Sequence, residues 1–173
     1  RDVERSRGLG DVYKRQIAYG LRRELEHVAV LDEGDVAYRA SRGNFGLVWV
    51  QSKGMGLPRY GVWTMTSASG WPRLAAQLLE ETGVDVHLEQ RGGLHALLSD
   101  EEMEARATFM QTLLAQPGMA QYDWKLLDRA EVADLVPGIG PEVRGATWTP
   151  VDGIANPLLS LIHISEPTRP LYI

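Results

Sequence analysis

HVAVLDEGDVAYRASRGNFGLVWVQSKG, residues 27–54, is the stretch on which the reading of this chain turns. It opens with Val28-Ala29-Val30-Leu31, a run short and β-branched enough to be a strand buried on both faces. Asp32-Glu33-Gly34-Asp35 follows and places acidic side chains at the carboxyl end of that strand. In an open α/β sheet, ligands bind outside the carboxyl ends of strands, and an acid there accepts hydrogen bonds from the ribose hydroxyls of a dinucleotide. Glu33 is the expected acceptor, because it is the last acidic residue before the turn at Gly34. The same pattern also marks an ordinary polar boundary between strand and loop.

The residues after the acid narrow the reading. Ala40-Ser41-Arg42-Gly43-Asn44-Phe45-Gly46 gathers small residues, a hydroxyl, a guanidinium and an amide in one short loop. Such a loop lets backbone approach an anion closely, while Ser41 and Arg42 supply donors for phosphate oxygens. The apolar run Leu47-Val48-Trp49-Val50 comes next and has the character of a surface for a flat ring.

VLDEGD followed by ASRGNFGLVWVQSKG resembles the D-amino-acid-oxidase-type (DAO) family of flavin-dependent oxidoreductases. That family includes glycine oxidases, D-amino-acid dehydrogenases, sarcosine oxidase β-type subunits and opine oxidase subunits. The resemblance implies an α/β fold, α+β overall: a partial Rossmann-like FAD-binding fold with an antiparallel-sheet portion of a substrate domain. It implies FAD as cofactor, with Glu33 and Gly34 at the ribose and Ser41, Arg42 and Gly43 at the pyrophosphate. Asn44, Gly46 and Leu47 would pass the edge of the isoalloxazine. The implied substrate is a small amino acid or secondary-amine acid, whose neutral amine lies over the flavin. A hydride leaves its α-carbon for flavin N5, and the imine then hydrolyses. The implied setting is the cytoplasm, or the periphery of the inner membrane, with a partner subunit or a homo-oligomer.

Composition excludes several other classes. The chain has 173 residues, enough for one domain with a proper core, and its 44% hydrophobic content is ordinary for a water-exposed fold. It has no cysteine, hence no disulfide scaffold, thiolate metal site or sulfur-linked flavin. No apolar run reaches the ~18 residues of a transmembrane helix, and no secretory leader is recognisable. A net charge of −5 with basic residues scattered singly argues against a nucleic-acid surface.

Both ends read as foreign to the fold. Residues 1–16 lack any apolar period, and Gly8-Leu9-Gly10 fails as a GxGxxG motif because Tyr13 takes the third glycine position and no strand precedes it. The pieces DVYKRQ and SLIHISEPTRP resemble translated sequencing adapter, of the kind found at the ends of metagenomic fragments. The expected division is therefore 1–16 and 160–173 as foreign or disordered tails, 17–57 as a partial FAD-binding domain, and 58–159 as a helical segment with a portion of the substrate domain. Residues 17–25 read as the last turns of a helix whose family counterpart begins at the glycine-rich loop. With the first strand and those glycines missing, the fragment is expected to lose much phosphate affinity and to be inactive alone. The arginine that grips the substrate in the family belongs to a later part of the chain, so no catalytic residue is assigned.

The remaining segments read as local elements. Residues 58–69 are mixed, and Trp71-Pro72 opens an amphipathic helix ended by Gly83. Residues 84–88 and 94–98 flank Arg91-Gly92-Gly93 as a hairpin, with His87 and His95 as structural strand residues rather than metal ligands. Ser99 with Glu102, and Asp128 with Glu131, mark two helix starts; the first helix is expected to run through Met103, Ala107, Met110 and Leu114 and to stop at Pro117-Gly118. Residues 124–127 and 144–149 read as strands. Val151–Pro157 is a turn leading to Asn156 as an N-cap, with Pro157 opening a helix, and resembles the family's DG-x-x-(D/N)-P segment. The five tryptophans read as core or interface residues rather than as a stacking platform. Two rival functions stay open: an NAD-dependent enzyme of two dinucleotide folds, and a non-catalytic flavin-binding subunit or inert fragment.

Overall fold

The computed structural model describes residues 17–29, 45–157 and 159. The chain forms two compact units that interleave along the sequence. One comprises Arg1–Gly46, Ala75–His87 and Ala155–Ile173; the other comprises Leu47–Leu74 and Leu88–Ile154. The expected foreign tails and the strand residues Val30 and Leu31 lie outside the described residues.

The second unit is built on an antiparallel sheet. Strands β2 (Gly93–Leu97), β3 (Lys125–Asp128) and β4 (Gly145–Thr149) stand in the order β2-β4-β3. Leu94 and Lys125 both face Trp148 across the ladders. A second ribbon pairs β1 (Leu47–Val48) with β5 (Gly153–Ile154). Because side chains alternate along a strand, β4 serves two layers. Ala146 and Trp148 join Leu127, Val132 and Val143 in an apolar cluster, whereas Thr147 points to a polar centre described below.

Helix α1 (Pro58–Thr82) is one continuous helix, where the sequence predicts a mixed stretch followed by a helix from Trp71. Pro72 lies inside it. Proline lacks the N–H that would bond the carbonyl four residues back. Here that carbonyl, Ala68 O, accepts a hydrogen bond from Gln90 Nε2 at 3.0 Å. A side chain from outside the helix thus replaces the missing donor. Gly83 ends the helix at φ +73°, its N–H bonded to Leu79 O at 2.9 Å.

The expected hairpin across residues 84–98 is not formed. His87 adopts φ +49°, which breaks the extended run, and its N–H donates to Asp85 Oδ1 at 2.7 Å. β2 pairs with β4 instead, and Glu89 bridges to Ile154. Gly92, at φ +103°, is required because a Cβ there would strike the Trp148 indole, so the glycine pair serves close packing.

Helix α2 (Asp100–Ala115) starts as its sequence dictates, with Ser99 Oγ accepting from Glu102 N at 3.2 Å. Its inward face is Arg106, Met110 and Leu113, so it buries a guanidinium. Helix α3 (Arg129–Leu135) carries a complete capping box between Asp128 and Glu131, with both bonds at 2.9 Å. Among the tryptophans, Trp63 is 69% exposed and stands edge-on to Tyr60, so it is not a core residue.

In the first unit, residues 17–21 are helical, and Tyr19 Oη donates to Glu81 Oε2 at 2.9 Å beside Arg23. Burial, and then the Glu81 bond, raise the Tyr19 pKa above its ordinary value. Val28 is half-buried and Ala29 exposed, and neither lies in a strand, unlike the buried strand expected from residue 28. Asn156 caps as its sequence implies: Oδ1 accepts from Leu159 N at 3.2 Å.

Candidate functional site

Of the residues expected to hold a dinucleotide, Glu33, Gly34, Ser41, Arg42, Gly43 and Asn44 lie outside the described residues. Gly46 and Leu47 are described. Gly46 has φ +67°, and a Cβ there would strike the carbonyl oxygen of Ala155 and the ring of Pro157. Its glycine character is therefore demanded by the neighbouring chain, whose Ala155 N–H donates to Gly46 O at 2.8 Å. Leu47 stands directly opposite Ile154 in the β1–β5 ribbon, and the two are 55% and 49% exposed. This outward apolar pair offers the kind of surface a flat ring needs. Ile154 escapes a reading of the sequence because its partner across the ribbon is 107 positions away.

Behind the ribbon lies a buried polar centre, all of it within the second unit. Val48 and Val50 are buried and Leu47 is not, so the chain leaves the surface as it enters the turn at Gln51 and Ser52. Asp152, fully buried, accepts from Val50 N at 2.5 Å through Oδ1 and from Gln51 Nε2 at 2.9 Å through Oδ2. The same Nε2 donates to Gly93 O at 3.1 Å. At the other end of the amide, Oε1 accepts from Arg106 Nη2 at 3.1 Å and from Thr147 Oγ1 at 2.7 Å. Arg106 also donates through Nε to Thr147 Oγ1 at 3.1 Å and through Nη1 to Ser52 Oγ at 2.8 Å. Its guanidinium lies 5.2 Å from the centre of the Phe109 ring.

The orientation of Gln51 is thus fixed by chemistry: two donors meet its oxygen and two acceptors meet its nitrogen. Its amide dipole lies between a cation and an anion that do not touch, positive end toward Asp152 and negative end toward Arg106. Burial raises the Asp152 pKa, opposed by bonds from Val50 and Gln51 and by the charge of Arg106. Burial also lowers that of Arg106, which nonetheless stays charged. Tyr122 is pushed up to about 12, first by burial and then by Asp152. Its hydroxyl and that of Thr149 are buried with no hydrogen-bond partner among the described residues.

His95 lies on β2; partial desolvation of its ring and the charge of Arg106 lower its pKa, and Glu102 opposes them. No group of three or more His, Cys, Asp or Glu side chains suited to a metal is gathered among the described residues. No helix among them is long and apolar enough to cross a membrane.

A family model described as FAD dependent oxidoreductase (DAO) matches residues 16–165. The B subunit of opine oxidase from Agrobacterium tumefaciens (strain Ach5) is 42% identical over 154 residues, covering 89% of this chain and 41% of that protein. The B subunit of opine oxidase from Rhizobium meliloti is 40% identical over the same length and the same shares. The chain thus spans about two fifths of these relatives. Among solved structures, glycine oxidase from Geobacillus kaustophilus superposes with a TM-score of 0.74 at 22% identity, covering 91% of this chain and 41% of that one. Glycine oxidase from Bacillus cereus ATCC 14579 gives a TM-score of 0.70 at 24% identity, covering 91% and 40%.

Proposed function

Because this chain belongs to the FAD dependent oxidoreductase (DAO) family, we propose that it is part of an FAD-dependent enzyme that oxidises the C–N bond of an amino acid or secondary-amine acid. The observation that carries this reading is the 42% identity to the B subunit of an opine oxidase along 89% of the chain. A local fit supports it: the β1–β5 ribbon turns Leu47 and Ile154 outward as an apolar pair. In this reading that pair borders the isoalloxazine. Glu33 and Gly34 hold the ribose, Ser41, Arg42 and Gly43 the pyrophosphate, and Asn44 and Gly46 flank the ring. Residues 17–57 then belong with the cofactor and 58–159 with the covering of the substrate.

When bound, the flavin supplies the two-electron acceptor for a hydride from the substrate α-carbon. The protein groups orient the cofactor and exclude water on one side of it. As the hydride leaves, the amine gives up a proton to become an imine, and water then releases the oxo acid and the amine. Both opine oxidase relatives are named as a B subunit, which supports a second element of the proposal: this protein works in an assembly with a different partner chain.

The test is to mix the purified chain with FAD, desalt, and follow flavin fluorescence and the visible flavin band. Weak retention is the expected result for this chain alone; flavin that is retained and bleaches anaerobically with an N-substituted or simple amino acid, but not with simple amines, would support the reading and show a more complete cofactor site than the sequence leads one to expect. Retention of NAD in place of FAD would overturn the reading.

A further inference from the structure

The turn after β1 is held in a conformation its own sequence does not favour. Gln51 and Ser52 are the central residues of a turn closed by Lys53 N donating to Val50 O at 3.1 Å. Ser52 has φ +76°, whereas Gln51 does not have a positive φ. That is the pattern of a type II turn, whose third position calls for glycine or asparagine. A serine there carries strain, which persists only where the surroundings over-determine it. What surrounds it is Arg106. Nη1 donates to Ser52 Oγ and Nη2 to Gln51 Oε1, so one guanidinium holds both central side chains of the turn. The planar fork of arginine suits this double hold, and a point-like ammonium does not. Arg106 itself is fixed by Thr147 and by the Phe109 ring, on the sheet and on its own helix.

We propose that Arg106 is a positioning residue. It holds the Gln51–Ser52 turn in its left-handed geometry and, through the Gln51 amide, aligns Asp152 to grip Val50. The effect is to fix the exit of β1, and with it the outward direction of Leu47. The consequence for Leu47 rests on the flavin reading above, but the hold on the turn does not.

Two amides report on the turn directly: Val50 N–H, bonded to Asp152, and Lys53 N–H, bonded to Val50 O. Val136 N–H, bonded to Val132 O, reports on the far side of the sheet. In hydrogen-exchange measurements on the labelled chain, Arg106→Met is expected to speed exchange at Val50 and Lys53 by about tenfold relative to Val136. Adding Ser52→Gly should recover most of the loss at Lys53, because glycine adopts that turn without help. An equal acceleration of all three amides, or no recovery by glycine, would overturn the proposal. Ser52→Ala removes only the acceptor and decides the matter should Arg106→Met not fold: Lys53 exchange should quicken several-fold, and unchanged exchange refutes the hold.

Titration of the same variants with FAD and with NAD separates the two readings. If the unaltered chain takes up NAD in place of FAD while the exchange pattern is as expected, the flavin reading fails and the positioning role stands. If the chain binds FAD and Arg106→Met leaves both binding and exchange unchanged, the positioning role fails.

Discussion

Strand β4 separates two regions of opposite chemistry. On one side, Ala146 and Trp148 pack with Leu127, Val132 and Val143 under helix α3. On the other, Thr147 meets Gln51 and Arg106 under helix α2. The α3 side is cohesive without direction: each methyl contributes by area, and the loss of one leaves the others in place. The α2 side is directional and interdependent, because every bond of Gln51 assumes that its neighbour is present. Apolar packing therefore fails by degrees, whereas the polar centre fails as a unit.

The largest effect is expected where that difference is sharpest. Asp152→Ala leaves Arg106 buried without its counter-charge, strips Val50 N of its side-chain acceptor and takes one of two acceptors from Gln51 Nε2. Each buried donor left short of its charged acceptor costs about 1–3 kcal/mol, and the uncompensated charge of Arg106 adds to that. The pair Asp152→Leu with Arg106→Met should cost less than the sum of its two single changes by about 1–3 kcal/mol, measured as a double-mutant cycle in urea. Strict additivity would mean that the two charges are independent, and the contrast between the two sides of β4 would be lost.

On the α3 side, Leu127→Ala should cost about 2–4 kcal/mol through lost transfer energy and the cavity left behind. Combined with Asp152→Ala it should add almost linearly, since Leu127 belongs to the apolar cluster and Asp152 to the hydrogen-bonded network on the opposite face of β4. The same urea titrations check this. A coupling as large as that within the polar centre would show that the strand transmits strain between its faces. Smaller again is Asp128→Ala, which removes the acceptor of the capping box at α3. About 1 kcal/mol is expected, seen as a shift in the thermal midpoint.

The two sides also differ in how far the sequence discloses them. The α3 side is open to reading, because Asp128, Glu131 and the apolar alternation of residues 144–149 each carry a local signal. The helix starts at Ser99 and Asn156 are plain for the same reason. The polar centre is not, because Gln51, Arg106, Thr147 and Asp152 are residue types that ordinarily face water. Their burial comes from pairings 41 to 102 positions apart, which no short window contains. The sequence cuts helix α1 short because Pro72 signals a start, and the donor that carries the helix through it is Gln90, 22 positions from the carbonyl it serves. The hairpin fails on His87, whose left-handed backbone has no signature in a β-like run. As for the candidate site, Leu47 is legible from its run, but its partner Ile154 is not. The fold class and the family resemblance rest on the 27–54 stretch, a contiguous segment, and need no distant pairing.

Tyr122 gives the smallest change at neutral pH and the clearest signature elsewhere. Its ring packs against both the Val50 and Met110 clusters, but its hydroxyl is buried with no partner among the described residues. Tyr122→Phe keeps the ring and removes the unpaired group, so stability at pH 7 should stay within about 1 kcal/mol, changing in the favourable direction. At high pH the two proteins should part. The folded pKa is about 12 against an ordinary 10.0, so the folded chain retains a proton that the unfolded chain releases. The stability tied to that proton is full below pH 10 and is lost as the pH climbs through about 12. Allowing for the partial exposure of the ring, about 1–2 kcal/mol should vanish across that window in the unaltered chain and not in the Phe variant. Urea unfolding at both ends of the window measures it. Parallel curves for the two proteins would mean that the hydroxyl reaches water, and the polar centre would then be open to solvent on the side of Tyr122.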